Sequence, residues 1–215
     1  MTTLTKAAAG MGALGTAAGG GVLLSKSPIF NKSKPTLRSE VEGDKWVFLT
    51  SRNTEEITKV LNAYKVNSPT VTLKFDGITG NESDASKKLL EKCKELYEKP
   101  SDTPSKEDLL KKLKKWCVIP KTVNQRLGDL NYTALSTNGP TQGTTESNDW
   151  KQKSQSHTSS SNNKFTGISV TGTGNDDAGA KALREHCKTK LEVNSFSEDF
   201  QDTLEKVKLW CSVTK

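Results

Sequence analysis

Four cysteines and two tryptophans, set out twice at one spacing, constrain this chain more than any other feature. Cys93 and Cys117 are 24 residues apart, and so are Cys187 and Cys211. Both second cysteines follow tryptophan, giving Trp116-Cys117 and Trp210-Cys211. A single shift of 94 residues (187 − 93) lays one set on the other and also matches Leu89 with Leu183, Leu110 with Leu204 and Leu113 with Val207. Lys94, Lys112 and Lys114 fall on Lys188, Lys206 and Lys208. An ungapped coincidence of residues this rare reads as an internal duplication. Upstream the match continues more loosely, with Thr36–Leu49 resembling Thr122–Leu135 and Trp46 falling near Tyr132. Three segments follow: 1–25, a first repeat unit over 26–120, and a second over 121–215. The expected repeat core is Leu89, Leu110, Leu113 and Trp116 in the first unit, and Leu183, Leu204, Val207 and Trp210 in the second.

The periodicity within each unit is helical. Ile57, Val60, Leu61 and Tyr64 recur at i, i+3, i+4 and i+7, and Asn53 with Glu56 three residues on has the pattern of a cap. Ser83 opens a second helix with Leu89, Leu90, Cys93, Leu96 and Tyr97 on one face, closed by Pro100. Ser105 opens a third that carries Leu109 to Cys117 and stops at Pro120; the turn between Pro100 and Pro104 lays the two antiparallel. In the second unit, Leu183, Cys187 and Leu191 lie four apart, and Ser195 with Glu198 would cap a last helix through Phe200, Leu204, Val207 and Cys211. Lys45–Leu49 reads as an extended lead-in, and Val71–Phe75 alternates like a short strand. From 136 to 176 the chain is mostly Ser, Thr, Asn, Gly and Gln. Such a stretch buries too little to offset its ordering entropy and reads as a loop, with a decayed helix near Asn148–Lys153. The fold class expected is mainly α: tandem duplicated small helical units with a few short extended segments, behind one N-terminal anchor helix.

Only 32% of residues are hydrophobic, against roughly 45–50% apolar, glycine included, in typical soluble domains. Lean units of this size call for a staple. An even cysteine count with one matched pair per unit makes Cys93–Cys117 and Cys187–Cys211 the expected disulfides, provided the helices are offset enough to bring their Cα atoms within about 7 Å. Disulfides place the body in an oxidising compartment. Two other states fit the sequence: buried free thiols beside tryptophan in a reducing compartment, and a zinc site, for which the chain has no C-x-x-C and only His157 and His186.

Ala7 to Leu24 runs without charge behind Lys6 and is followed by Lys26, Lys32, Lys34 and Arg38. Basic start, apolar middle and polar exit form the layout of a signal sequence or single anchor. Cleavage after Ala17 or Gly19 would strand Val22-Leu23-Leu24 on the mature end, which favours an uncleaved membrane anchor over 7–24. Flanking charge would put the body inside the cell; the cysteines put it outside, and that argument is the stronger. The expected location is the cell membrane, single-pass, with the bulk extracellular.

No catalytic constellation is evident. The chain lacks G-x-x-x-x-G-K-[ST] and H-E-x-x-H. Gly172-Thr173-Gly174 has no following dinucleotide pattern and reads as turn chemistry. Trp116 and Trp210 sit on apolar faces beside cysteine, where core packing explains them better than ligand stacking. The net charge of +7 comes mainly from lysine on helices, the pattern of solvated faces, so nucleic acid is not an expected partner. No cofactor or metal and no enzymatic activity are expected.

With these residues laid out, the chain resembles the large paralogous families of uncharacterised proteins from haemotropic mycoplasmas. The resemblance rests on the Ala/Gly-rich N-terminal run, the Trp-Cys repeats and the stretch Trp116-Cys117-Val118-Ile119-Pro120-Lys121-Thr122-Val123. It covers nearly the whole chain and departs around 136–163. It implies an anchored, surface-displayed protein that meets host-cell or plasma components, and it brings no reaction and no catalytic residues. The function expected is a non-enzymatic interaction or antigen-like role. The competing expectation is a cytosolic or inner-face structural protein with free thiols, whose basic faces bind anionic lipid or nucleic acid.

Overall fold

The computed structural model describes residues 34–66, 73–141, 144–168 and 176–215. The expected anchor over 7–24, residues 71–72 of the expected strand, and the 172–175 part of the glycine turn lie outside them. The described chain from Lys34 to Lys215 is one compact unit, mainly helical with one small two-stranded sheet. No helix among the described residues is long and apolar enough to cross a membrane.

Two halves follow one plan. The front half runs α1 (Leu37–Gly43), α2 (Thr54–Lys65), α3 (Ala85–Tyr97) and α4 (Lys106–Trp116). The rear half runs α5 (Val123–Asp129), β1 (Tyr132–Ala134), α6 (Asn148–Ser159), α7 (Asp177–Leu191), α8 (Phe200–Trp210) and β2 (Ser212–Thr214). The parallel extends to single hydrogen bonds. Leu49 N donates to Cys117 O at 2.9 Å, and Leu135 N to Cys211 O at 2.9 Å. Leu37 N donates to Lys99 O at 2.9 Å, and Val123 N to Val193 O at 2.9 Å. Phe48 bridges Val118 where Ala134 pairs with Ser212 in the antiparallel sheet. Lys45 and Asn131, which turn the chain after α1 and α5, share the left-handed region at φ 61° and 63°. Gly77 and Gly167 do the same at φ 77° and 75°, a conformation a β-carbon would strain.

All eight expected core residues are buried, Leu89, Leu113, Leu183 and Val207 completely. They meet because α3, α4, α7 and α8 each turn one apolar stripe inward. The lead-ins differ from expectation. Each begins with a two-turn helix, since Leu37 and Val41, and Val123 and Leu127, are spaced four apart and reach the core together. Thr122 and Gln125 close a capping box on α5. Only then does the chain extend, through Trp46–Leu49 and through β1.

Other expectations are corrected. Residues 73–75 form no strand. Asn53 precedes α2 but caps nothing; its Oδ1 accepts from the Thr50 N–H and hydroxyl, both at 2.9 Å. Ser195 does not start α8, which opens at Phe200; its N–H donates to Lys121 O. The helix expected in decayed form near Asn148–Lys153 is present and longer: α6 makes three turns, capped by Ser147 and held against α7 and α8. Its buried face is Trp150, Ser154 and His157, spaced as Ile57, Leu61 and Tyr64 are on α2. One tryptophan plus neighbouring Phe165 supply the burial that the polar composition hides.

The halves are joined by a charged and aromatic seam. Arg126 stacks 4.7 Å over Trp46 and donates to Asp44 O at 2.6 Å. Lys121 donates to Lys45 O at 2.8 Å and pairs with Asp129. Lys115, almost fully buried, pairs with Glu198, and Trp46 touches Phe200.

Candidate functional site

The cysteines and tryptophans build a frame in each half. Cys93 on α3 and Cys117 at the end of α4 stand at disulfide distance, Cα atoms 5.4 Å apart; Cys187 on α7 and Cys211 after α8 do likewise at 5.7 Å. All four sulfurs are buried. The neighbouring tryptophans face inward, and each indole N–H is satisfied by backbone: Trp116 Nε1 donates to Leu73 O at 3.0 Å, Trp210 Nε1 to Asn163 O at 2.6 Å. The accepting residues occupy matching places and share a positive φ of 67° and 53°. Both tryptophans are therefore core, not ligand platforms.

The halves diverge at the residue that meets each indole edge-on. In front it is Tyr64, 4.8 Å from Trp116, whose hydroxyl accepts from Phe75 N at 2.5 Å. In the rear it is His157, 5.2 Å from Trp210, whose Nε2 accepts from Phe165 N at 3.1 Å. An accepting Nε2 carries no proton, so His157 is neutral with its hydrogen on Nδ1. That atom is buried without a partner among the described residues, as are Ser154 Oγ and His186 Nε2. Burial depresses both histidines, helped at His157 by Lys164 and His186 and at His186 by Lys190.

Unfolded, each imidazole titrates near about 6.5; folded, lower. The unfolded chain thus takes up the proton first, and stability falls as the pH drops through that window, being whole above about pH 7. The Tm is expected to be lower at pH 5.5 than at pH 7.5, with a shallower dependence in His157→Gln. An identical slope in that variant would exonerate the imidazole.

A second divergence creates an open site. In the front half a groove of about 670 Å³ runs between α2 and α3, within the usual size for a ligand cleft. Leu49, Ile57, Leu90 and Tyr97 form its floor; Thr50, Thr54 and Thr58 stand along one side, Lys87, Glu91 and Lys94 along the other. The Tyr97 ring is covered on one face by Arg38, whose guanidinium lies 4.0 Å above it. In the rear half the centre of the matching ground, around Arg184, is covered by the chain itself, while its far end, lined by Leu135, Lys188 and Leu191, stays open. Fourteen residues separate Leu135 from Trp150, where seven separate Leu49 from Ile57. The longer loop brings Thr137, Gly139 and Glu146 onto Arg184, which stands where Leu90 does in front. Arg184 Nε donates to both Glu146 oxygens at 3.1 and 3.0 Å and Nη2 to Oε1 at 2.7 Å, while Nη1 reaches Thr137 O at 3.2 Å.

No group of three or more His, Cys, Asp or Glu that could hold a metal ion occurs among the described residues. The arrangement offers binding: an open, part-apolar groove with a lysine rim on one half, and its latched counterpart on the other. The groove and the Arg184–Glu146 latch were not anticipated from the sequence. The available signal was a charged residue, Arg184, on the inward stripe of α7. Comparison with known proteins adds no assignment: no family model, no curated protein and no solved structure matches this chain.

Proposed function

We propose that this chain is a binding protein displayed on the outer face of its cell, tethered through residues 7–24, its body two copies of one disulfide-stapled helical unit. The observation that supports it is the pair of buried cysteine couples at disulfide distance, at matching places in the two halves. Staples of this kind persist in oxidising surroundings, and the uncharged run behind Lys6 supplies a means of export and attachment. The frame holds its loops rigidly and presents the open groove. By its resemblance, the partners it meets are host-cell or plasma components, and its role is adhesion-like or antigen-like without a reaction.

Two measurements test the reading. Protein isolated from its own cells, denatured without reductant and alkylated, is expected to keep its unmodified mass; four alkyl adducts would move it to a reducing compartment. Protease added to intact cells is expected to remove the body and leave a short membrane-bound stub. Full protection would reverse the orientation.

A further inference from the structure

The two halves present the same ground between their second and third helices, and the rear half shows what that ground accepts. There a loop of the chain lies across α7 and buries a carboxylate, Glu146, on the helix face. Among the described residues the front half has no such loop, and the centre of its groove is open. At the place of Arg184 stands Leu90, half-buried, so the centre of the front groove asks for an apolar side chain rather than a carboxylate. Positive charge has moved to the sides: Lys87 and Lys94 lie about one turn before and after Leu90, against one acidic lining residue, Glu91. Both lysines are exposed and make loose contacts of 3.9 Å to Glu91 and Glu98, and such surface pairs contribute little.

We propose that the groove between α2 and α3 is a docking site for an extended segment of a partner protein, one that carries a large apolar side chain flanked by acidic residues. The apolar side chain seats on Leu49, Ile57, Leu90 and Tyr97, and its flanking carboxylates meet Lys87 and Lys94. The segment lies across α3 as Thr137, Gly139 and Glu146 lie against Arg184 on α7. Recognition of this kind combines an apolar anchor in a pocket with charges that set the register. The inference rests on reading the chain as a binding protein, but it is tested in solution, apart from where the protein resides.

A phage-displayed library of random dodecapeptides is selected on the immobilised full-length chain and counted in parallel on Leu90→Arg and on Lys87→Glu/Lys94→Glu. Arginine at position 90 is the rear half's own residue, and the lysines are exposed, so neither variant should disturb folding; far-UV circular dichroism and non-reducing mass check this. Enriched peptides are expected to share an aliphatic or aromatic residue with Asp or Glu nearby. As synthetic fluorescent peptides they should bind the parent chain at least tenfold more tightly than either variant. Peptides that bind all three proteins alike, or a basic consensus, would overturn the proposal. So would a concentration-dependent dimer in sedimentation that Leu90→Arg abolishes, since the occupant would then be a second copy of this chain.

Discussion

Glu146→Ala will destabilise the protein by about 3–5 kcal/mol, although the residue sits in a loop between β1 and α6. Its carboxylate and the Arg184 guanidinium are only 5% and 7% exposed. Arginine cannot shed its proton, so truncating the partner leaves a buried charge with one backbone acceptor, Thr137 O, at 3.2 Å. For a chain of this length the loss corresponds to roughly 6–20 °C in Tm. The remedy is written in the front half, where Leu90 holds the equivalent place without any ionic partner. Glu146→Ala/Arg184→Leu should therefore be more stable than Glu146→Ala alone, the usual result when a buried pair is exchanged for apolar contact. Urea unfolding of the four proteins closes the cycle. Should Glu146→Ala shift the midpoint no more than Glu91→Ala, which breaks an exposed contact, the latch is hydrated and the loop is not fastened by it.

Much of the scaffold was legible, and the exceptions have physical causes. Helices α2, α3, α4, α7 and α8 announce themselves because leucine, valine and tryptophan recur on one stripe for three turns or more. The cysteine pairing was legible from equal spacing alone. Helices α1 and α5 were not, because seven residues with two inward apolar side chains are too short for a period to show. Helix α6 shows in the sequence only as a decayed helix near Asn148–Lys153, for a different reason. Its buried stripe is Trp150, Ser154 and His157, two of them polar, so the hydrophobic signal falls away while the spacing persists. Laying that spacing over Ile57, Leu61 and Tyr64 would have exposed it. The groove was illegible in principle, being a product of loop length: seven residues more or fewer between Leu135 and Trp150 decide whether the face of the third helix is roofed or bare.

Removing the rear disulfide will destabilise the protein more than removing the front one. The closed loops are equal, each spanning a separation of 24 residues, so loop-closure entropy assigns both about 3 kcal/mol. Any difference must come from what else holds each half. The front core around Cys93 and Cys117 includes Trp46, Phe48, Tyr64, Phe75 and Trp116. Around Cys187 and Cys211 the buried set instead admits Ser154, His157, Arg184 and Thr203, and burial of such groups without full hydrogen bonding is unfavourable. Cys187→Ala/Cys211→Ala should thus lower Tm further than Cys93→Ala/Cys117→Ala. It should also strip hydrogen-exchange protection from α6 first, since that helix has the poorest apolar face and leans mainly on α7 and α8. An equal loss from both double substitutions, with α6 still protected, would mean that Trp150, Phe165 and Trp210 hold the rear half without the covalent link.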